Sequence, residues 1–373
     1  MKATAVAFIF TFNRIAMKQI PEKGVPEEIL LQKLKQRKKD DIKWAEGRCW
    51  SLIYQVDEAH STFLKKASNL YLTENYVNPL AFKSLREMEQ EIIQMSASLF
   101  NGNEQTVGTV TSGGTESIFL SVYTYREKAA KTRPEIILTT TAHPAFEKAA
   151  YILGIKVKKA KLNANYRVDI QSIKKLISAQ TMLIVVSAPN YPHGLIDPVS
   201  EVAQLARKRN IPLHVDACLG GFLLPWLEAL KVEVPVWDFR LEGVTSISAD
   251  LHKFGYGIKG ASVILYLSMR FLTHQFYINP NWPGGIFAAP TLLGSRSGAA
   301  IAGAWAALNK MGKEGYKILA KKALKGFYKM KDALEAIPEI ELIGQPQHLI
   351  IAYRTKNNEP DIYVIADQLE AKA

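Results

Sequence analysis

The feature that most constrains the fold is a regular alternation of strand-like and helix-like segments between TVGTVTS and ASVILYLS. Short runs rich in isoleucine, valine and threonine, such as EIILTTT and TMLIVVSA, predict buried strands. Longer segments between them, such as TESIFLSVYTYREKAAK, predict helices. This strict alternation of strands and helices predicts an α/β protein with a mostly parallel sheet that helices cover on both faces.

Two helices are predicted ahead of this alternation. PEEILLQKLKQRKKD begins with proline and two acidic residues and ends basic, as a helix dipole favours. A second helix is predicted from apolar residues at helical spacing, namely Leu85, Met88, Ile92, Met95 and Leu99. After the alternation, ELIGQPQHLIIAYR predicts the first strands of a smaller domain. We therefore predict an arm over 1–80, a large domain over 81–310 and the start of a C-terminal domain over 311–373.

Composition narrows the class of protein. The 373 residues are 48% hydrophobic and carry a formal charge of +12. Most of the lysines are expected to solvate helix faces, and an anionic substrate or membrane surface is the alternative. No nucleic-acid-binding motif accompanies the charge, which argues against that partner. Only two cysteines are present, Cys49 and Cys218, so we expect no disulfide framework and a reducing, cytoplasmic location.

The N-terminal apolar run MKATAVAFIFTF is the one segment that suggests a membrane. It is much shorter than the roughly 20 residues that a spanning helix needs. It also lacks a convincing small-residue cleavage site for a signal peptide. We therefore expect a soluble protein with no transmembrane segment.

Polar clusters follow four predicted strands, at the edge where α/β sheets bind ligands. They are SGGTES (112–117), AHPAF (142–146), DAC (216–218) and SADLHK (248–253). Their shared position predicts one site at the carboxyl edge of the sheet.

Lys253 is the candidate nucleophile of this site. A lysine amine is nucleophilic only when neutral, and burial or a neighbouring cation lowers its pKa enough for that. His252 and Lys259 are the cations nearest in sequence. A surface lysine in a salt bridge is the alternative that Lys253 alone leaves open.

Asp216 lies inside the apolar segment PLHVDACLGG, where a lone carboxylate is unfavourable unless it is paired. A protonated ring nitrogen is one partner that stabilises a buried Asp, and pyridoxal phosphate requires such an Asp. A buried Asp that caps a turn is the alternative. His214, two residues earlier, is expected to pack structurally.

Two further clusters fit a flat, phosphorylated cofactor. The glycines of SGGTES let backbone approach closely, Thr115 and Ser117 offer hydroxyls, and a helix N-terminus attracts phosphate. An ordinary tight turn explains the same residues. The imidazole of His143 is placed to stack on a ring, whereas a hydrogen-bonded interior histidine is the alternative.

In this order, the segments VTSGGTESIFL, AHPAFEKAA, LHVDACLGGF, VTSISADLHKFGYGIKG and NWPGGIFAAPTLLGSRSG resemble a known family. They resemble the pyridoxal-phosphate-dependent decarboxylases of the aspartate-aminotransferase fold (fold type I), and among them the sphingosine-1-phosphate lyases. The resemblance covers roughly residues 20–370. It implies pyridoxal 5'-phosphate as the cofactor and no metal ion.

The resemblance also implies roles for single residues. Lys253 would hold the cofactor covalently, Asp216 would bind its ring nitrogen and His143 would stack on its ring. The cofactor phosphate would be bound by Gly114, Thr115 and His252. The substrate phosphate would be bound by Lys259 and Tyr54.

The activity implied is retro-aldol cleavage of sphingosine 1-phosphate to a long-chain aldehyde and phosphoethanolamine, within sphingolipid catabolism. The loop GGIFAAP (284–290) would reach the neighbouring subunit's site, which implies a homodimer. Two departures stand out: NPLAFKSLREME lacks a histidine that the family uses for substrate phosphate, and the family continues further to finish the small domain. An amino-acid decarboxylase and an inactive relative that binds lipid or a partner remain the alternatives.

Overall fold

The computed structural model describes residues 19–49 and 52–371, which form two compact units. The first unit, before Ile53, contains helix α1 (Glu27–Arg37) and two short 3-10 turns. Acidic residues stand in the first turn of α1 and basic residues in its last, as predicted from the helix dipole. The N-terminal run MKATAVAFIFTF lies outside the described residues.

The second unit, from Ile53 to Ala371, is built around one seven-stranded sheet. Its strands are β1 (Val107–Thr111), β2 (Glu135–Thr139), β3 (Lys156–Ala160), β4 (Thr181–Ser187), β5 (Leu213–Asp216), β6 (Val244–Ala249) and β7 (Ser262–Tyr266). Their order across the sheet is β1-β7-β6-β5-β4-β2-β3, and β7 alone runs antiparallel to its neighbours. The predicted mostly parallel sheet is confirmed.

Helices precede, alternate with and follow the strands of this sheet along the chain. They are α2 (Glu58–Asn69), α3 (Lys83–Leu99), α4 (Gly114–Ala129), α5 (Pro144–Ile152), α6 (Ile170–Leu176), α7 (Val199–Lys208), α8 (Leu224–Ala229), α9 (Met269–Leu272), α10 (Ala299–Glu335) and α11 (Ile362–Ala371). Two hairpins complete the unit: β8 (Tyr277–Asn279) with β9 (Phe287–Ala289), and β10 (Ile340–Leu342) with β11 (Tyr353–Thr355). Within the described ranges, no helix combines the length and the apolar character that crossing a bilayer requires.

Helix α3 shows how the sequence pattern becomes packing. Leu85, Met88 and Ile92 are buried on the face that meets β1 and α10, as their helical spacing predicts. Burying such a side chain contributes about 1.5–3 kcal/mol. This face of α3 therefore fixes the first strand, and with it the turn that follows β1.

Helix α10 is broken near the predicted domain boundary. Gly312 has φ 55° and ψ 177° inside it, so the helix consists of two segments. Positive φ is a conformation that glycine adopts at little cost. The small hairpin β10–β11 follows the second segment, where the first strands of a smaller domain were predicted. The predicted domain limits themselves stay a prediction.

Candidate active site

The site lies where four parallel strands end at the same edge of the sheet. The glycine turn follows β1, His143 follows β2, Asp216 ends β5, and the segment 250–253 follows β6. Because these strands run in one direction, their carboxyl ends present the four polar clusters together.

Lys253 and Asp250 form an ion pair at the centre of this edge. Lys253 Nζ lies 2.9 Å from Asp250 Oδ2, and the Asp250 side chain is only 2% exposed. A tight turn after β6 brings the two together, since Lys253 N–H donates to the Asp250 carbonyl at 3.2 Å. The sequence leaves open a surface salt bridge for Lys253, whereas the observed pair has a buried carboxylate.

In the chain without cofactor, the pKa of Lys253 is raised, so the low pKa expected from the sequence is wrong for this state. Burial alone would lower the pKa, but the neighbouring anionic groups, Asp250 first among them, outweigh burial and raise the pKa above its usual value. The predicted cation His252 instead has a lowered pKa, chiefly through burial. Lys253 therefore rests as an ammonium ion and must lose a proton before it can attack a carbonyl carbon.

The glycine turn packs against this ion pair so closely that position 114 has no room for a side chain. Gly113 has φ 149° and precedes helix α4, and Gly114 is the first residue of that helix. A Cβ on Gly114 would lie 2.7 Å from Asp250 Oδ1 and 3.1 Å from Cys218 Sγ. Only glycine at position 114 lets the helix N-terminus approach the Asp250 carboxylate so closely.

A phosphate fits beside this turn. The first N–H groups of helix α4 have no partners within the helix, and they carry its positive dipole end. His252 Nδ1 is buried and has no hydrogen-bond partner among the described residues. Thr115 is exposed at the first turn of the helix. Ser117 does not contribute, because its hydroxyl is buried between Thr111 and Ser262.

Asp216 is buried at the end of β5, with 8% of its surface exposed. Its Oδ1 accepts a hydrogen bond from the Cys218 backbone N–H at 3.1 Å and one from Ser248 Oγ at 3.5 Å. The carboxylate also adds to the raised pKa of Lys253, which places the two groups within electrostatic reach. A protonated pyridine nitrogen fits this carboxylate.

His143 caps helix α5 with its side chain. Its Nδ1 accepts a hydrogen bond from the Ala145 backbone N–H at 3.2 Å. The imidazole is exposed, which rules out the alternative of an interior histidine. The cap fixes the ring at the sheet edge, and its stacking on the cofactor stays a prediction.

Lys259 and Tyr54 lie together on the outer side of the lysine turn. Lys259 Nζ lies 5.4 Å from the centre of the Tyr54 ring and donates to the His252 carbonyl at 3.3 Å. Partial burial first, and then the charge of Lys253, lower the pKa of Lys259. Phe254 holds the Tyr54 ring in an edge contact, with ring centres 4.9 Å apart.

Two carboxylates of this region were not predicted from sequence. Asp250 is one, and its spacing of three residues from Lys253 is the signal that could have found it. Glu116 is the other: it is buried and accepts backbone hydrogen bonds from Ser112 at 2.6 Å and from Leu292 at 2.9 Å. Its position in the first turn of α4 was visible, but its link to Leu292 spans 176 residues.

Residues 43–356 match the pyridoxal-dependent decarboxylase conserved domain. The chain belongs to the family of pyridoxal-dependent decarboxylases. The lysine, the aspartate at the end of β5 and the glycine turn fit what this family needs to hold its cofactor. Pyridoxal 5'-phosphate is therefore the cofactor, as the sequence predicted.

Within the pyridoxal-dependent decarboxylases, the chain is similar to lyases. It is 42% identical to mouse sphingosine-1-phosphate lyase 1 over 362 residues, which cover 95% of this chain and 63% of the mouse protein. A solved sphingosine-1-phosphate lyase from Burkholderia pseudomallei is 39% identical, with a TM-score of 0.91 over 98% of this chain and 85% of that one. The predicted resemblance is confirmed.

A relative with another activity is also similar. A probable L-aspartate decarboxylase from Pyrococcus abyssi is 32% identical over 91% of this chain and 88% of its own. The shared architecture of these pyridoxal-dependent decarboxylases confirms the predicted fold type I. The chain spans less than two thirds of the mouse lyase.

Proposed function

We propose that this chain is a pyridoxal-phosphate-dependent lyase that cleaves sphingosine 1-phosphate to a long-chain aldehyde and phosphoethanolamine. The observation that carries the proposal is the second cation of the site. Lys259 stands exposed beside Tyr54 and within electrostatic reach of Lys253. A substrate that carries a phosphate near its amine would meet both lysines at once.

Each part of the proposed reaction has a residue of the chain to carry it out. When bound, the cofactor supplies an electron sink for the pair released as a carbon–carbon bond breaks. Lys253 Nζ would hold it covalently, His252 and the N-terminus of α4 would bind its phosphate, and Asp216 would keep a proton on its ring nitrogen. Lys259 orients the substrate phosphate.

Proton transfer completes the cleavage. The substrate hydroxyl loses its proton, the bond between the hydroxyl carbon and the amine-bearing carbon breaks, and the amine-bearing carbon takes up a proton. Lys253 Nζ, as a neutral amine, is the group placed to accept the hydroxyl proton and to return a proton to that carbon. Asp250 Oδ2, 2.9 Å away in the resting site, holds that amine in position.

We further propose a homodimer in which the loop 284–290 completes the partner's site. The hairpin β8–β9 around this loop exposes apolar residues: Tyr277, Ile278, Trp282, Ile286 and Phe287. Beside it lies a cavity of about 700 Å³ lined by Tyr76, Phe287 and Arg296. Exposed apolar clusters of this kind favour association with another surface. We also propose that the protein acts in the cytoplasm.

The decisive test is incubation of the cofactor-loaded protein with sphingosine 1-phosphate, followed by measurement of fatty aldehyde and phosphoethanolamine. Wild-type protein should release both in equal amounts, and Lys253→Ala should release neither. Release of carbon dioxide from aspartate or glutamate without aldehyde would instead support the decarboxylase alternative. A protein that binds the cofactor but transforms neither substrate would support the inactive relative.

A further inference from the structure

A row of buried polar side chains runs behind Asp216, away from the ligand side of the site. His214 lies two residues before Asp216 on β5, so both side chains point to the same face of the sheet. On β6, Ser246 pairs with His214 and Ser248 pairs with Asp216 in the strand register. Each of these four residues is at most 8% exposed.

The row is connected by hydrogen bonds at both nitrogens of the imidazole. His214 Nδ1 lies 2.8 Å from Ser246 Oγ, and Nε2 lies 3.1 Å from Ser248 Oγ. Ser248 Oγ then donates to Asp216 Oδ1 at 3.5 Å. Tyr125 donates its hydroxyl to Ser246 at 2.9 Å, at the far end of the row.

The donors and acceptors of the row fit one arrangement. A carboxylate only accepts, so Ser248 gives its proton to Asp216. Ser248 Oγ is then left to accept, and His214 Nε2 carries the proton that it accepts. Burial lowers the pKa of His214 to about 3, so the imidazole is neutral, and its Nδ1 accepts from Ser246.

This arrangement distinguishes the two oxygens of Asp216. Oδ1 accepts from Ser248 and from the Cys218 backbone N–H. Oδ2 takes no hydrogen bond from any residue in the described ranges. With Oδ1 held in the sheet, Oδ2 is the oxygen left for a ligand.

We propose that Ser248 and His214 are positioning residues that fix the Asp216 carboxylate so that Oδ2 faces the ring nitrogen of the cofactor. The inference rests on the proposed role of Asp216 and does not depend on which substrate is cleaved. Neither residue touches the reacting atoms. Loss of the row should therefore weaken recognition of the ring nitrogen and leave recognition of the phosphate intact.

The test compares two cofactors on the apo protein: pyridoxal 5'-phosphate and its 1-deaza analogue, in which carbon replaces the ring nitrogen. We expect Ser248→Ala to bind pyridoxal phosphate about tenfold more weakly, as for loss of one hydrogen bond to a charged group, and to bind the analogue as wild type does. Asp216→Ala should lose the preference for pyridoxal phosphate altogether. Ser121→Ala is the matched control, because Ser121 is equally buried but bonds only to its own helix.

His214 is tested with two amides. The amide nitrogen of Gln reaches the place of Nε2, so His214→Gln should retain the donor to Ser248 and keep the preference. His214→Asn ends at the place of Nδ1 and should lose the preference as Ser248→Ala does. Thermal melting identifies any variant that does not fold, in which case Ser248→Ala decides the matter.

The inference is overturned if Ser248→Ala keeps the wild-type ratio of the two affinities, or if it weakens both cofactors equally. An equal loss in Ser121→Ala would also overturn it. Aldehyde release is not part of the comparison, so a failure of the proposed lyase activity leaves this result unaffected.

Discussion

Lys253 Nζ and Asp250 Oδ2 lie 2.9 Å apart, and the carboxylate of the pair is almost fully buried. The pair raises the pKa of the lysine although burial opposes that change. Lys253 therefore rests as an ammonium ion, and the carboxylate beside it stabilises that charge.

Asp250→Asn should lower the pKa of Lys253, because burial then acts against a smaller opposing effect, without the carboxylate that contributes most to raising this pKa. Cofactor attachment, trapped with borohydride at neutral pH, should become faster, by up to roughly tenfold for each unit by which the pKa falls. Glu314→Gln is the control, since Glu314 also pairs with a lysine three residues away but on the surface. Slower trapping in Asp250→Asn, with cofactor affinity retained, would contradict the assignment.

Gly114→Ala should weaken cofactor binding by about tenfold or more, because the new methyl group would lie 2.7 Å from Asp250 Oδ1. Equilibrium titration with pyridoxal phosphate measures the loss. Gly326→Ala is the control: this helix position has open space around it, and the change should stabilise the helix by up to about 1 kcal/mol. Unchanged affinity in Gly114→Ala would show that the turn tolerates a side chain.

Lys259→Ala should raise the KM for sphingosine 1-phosphate by about tenfold while leaving the Lys253 adduct with the cofactor intact, since Lys259 is proposed to bind only the substrate phosphate. Steady-state aldehyde release measures the KM, and borohydride trapping measures the Lys253 adduct. Lys310→Ala is a close control, because Lys310 also lies over an aromatic ring, that of Phe63, at 4.7 Å. A fall in kcat alone would place Lys259 in another role.

His214 should make the protein less stable in acid. Its pKa is about 3 in the folded chain, against 6.5 as the usual value, so between these values the unfolded chain binds the extra proton. Stability therefore rises with pH across this window, and the loss at pH 5 is about 2 kcal/mol. Urea unfolding of wild type and His214→Gln at pH 5 and pH 8 measures it. Identical pH dependence in the two proteins would refute a buried neutral imidazole.

Ile286→Asp should separate the proposed dimer, because Ile286 is 78% exposed in the described chain and lies in the loop 284–290. Sedimentation equilibrium should show at least a tenfold weaker self-association. Ile318→Asp is the control, because Ile318 is an isoleucine on α10 that is also largely exposed, at 67%. A wild-type protein that remains monomeric at high concentration would contradict the proposed homodimer.

The strands and helices of the sheet were predictable because their patterns are local. The direction of β7 was not, since SVILY has the same pattern whether it runs parallel or antiparallel. The placement of Lys253 and Asp216 at the carboxyl edge of the sheet was predictable from residue type and strand position. The contacts around the site were not predictable. The ion pair with Asp250 and the contact of Glu116 with Leu292 depend on how the segments pack in the folded chain.

The break at Gly312 gives the second segment of α10 the geometry of a lever. Residues 313–335 extend about 35 Å at 1.5 Å per residue, so a rotation of 10° at the break would move the far end by about 6 Å. A side chain at position 312 would meet open space, but the backbone there has a positive φ that other residues rarely adopt. Gly312 therefore sets the direction in which the second segment leaves the break, and the contacts of Tyr316 with Trp226 and with the Gly255 carbonyl hold that segment in place.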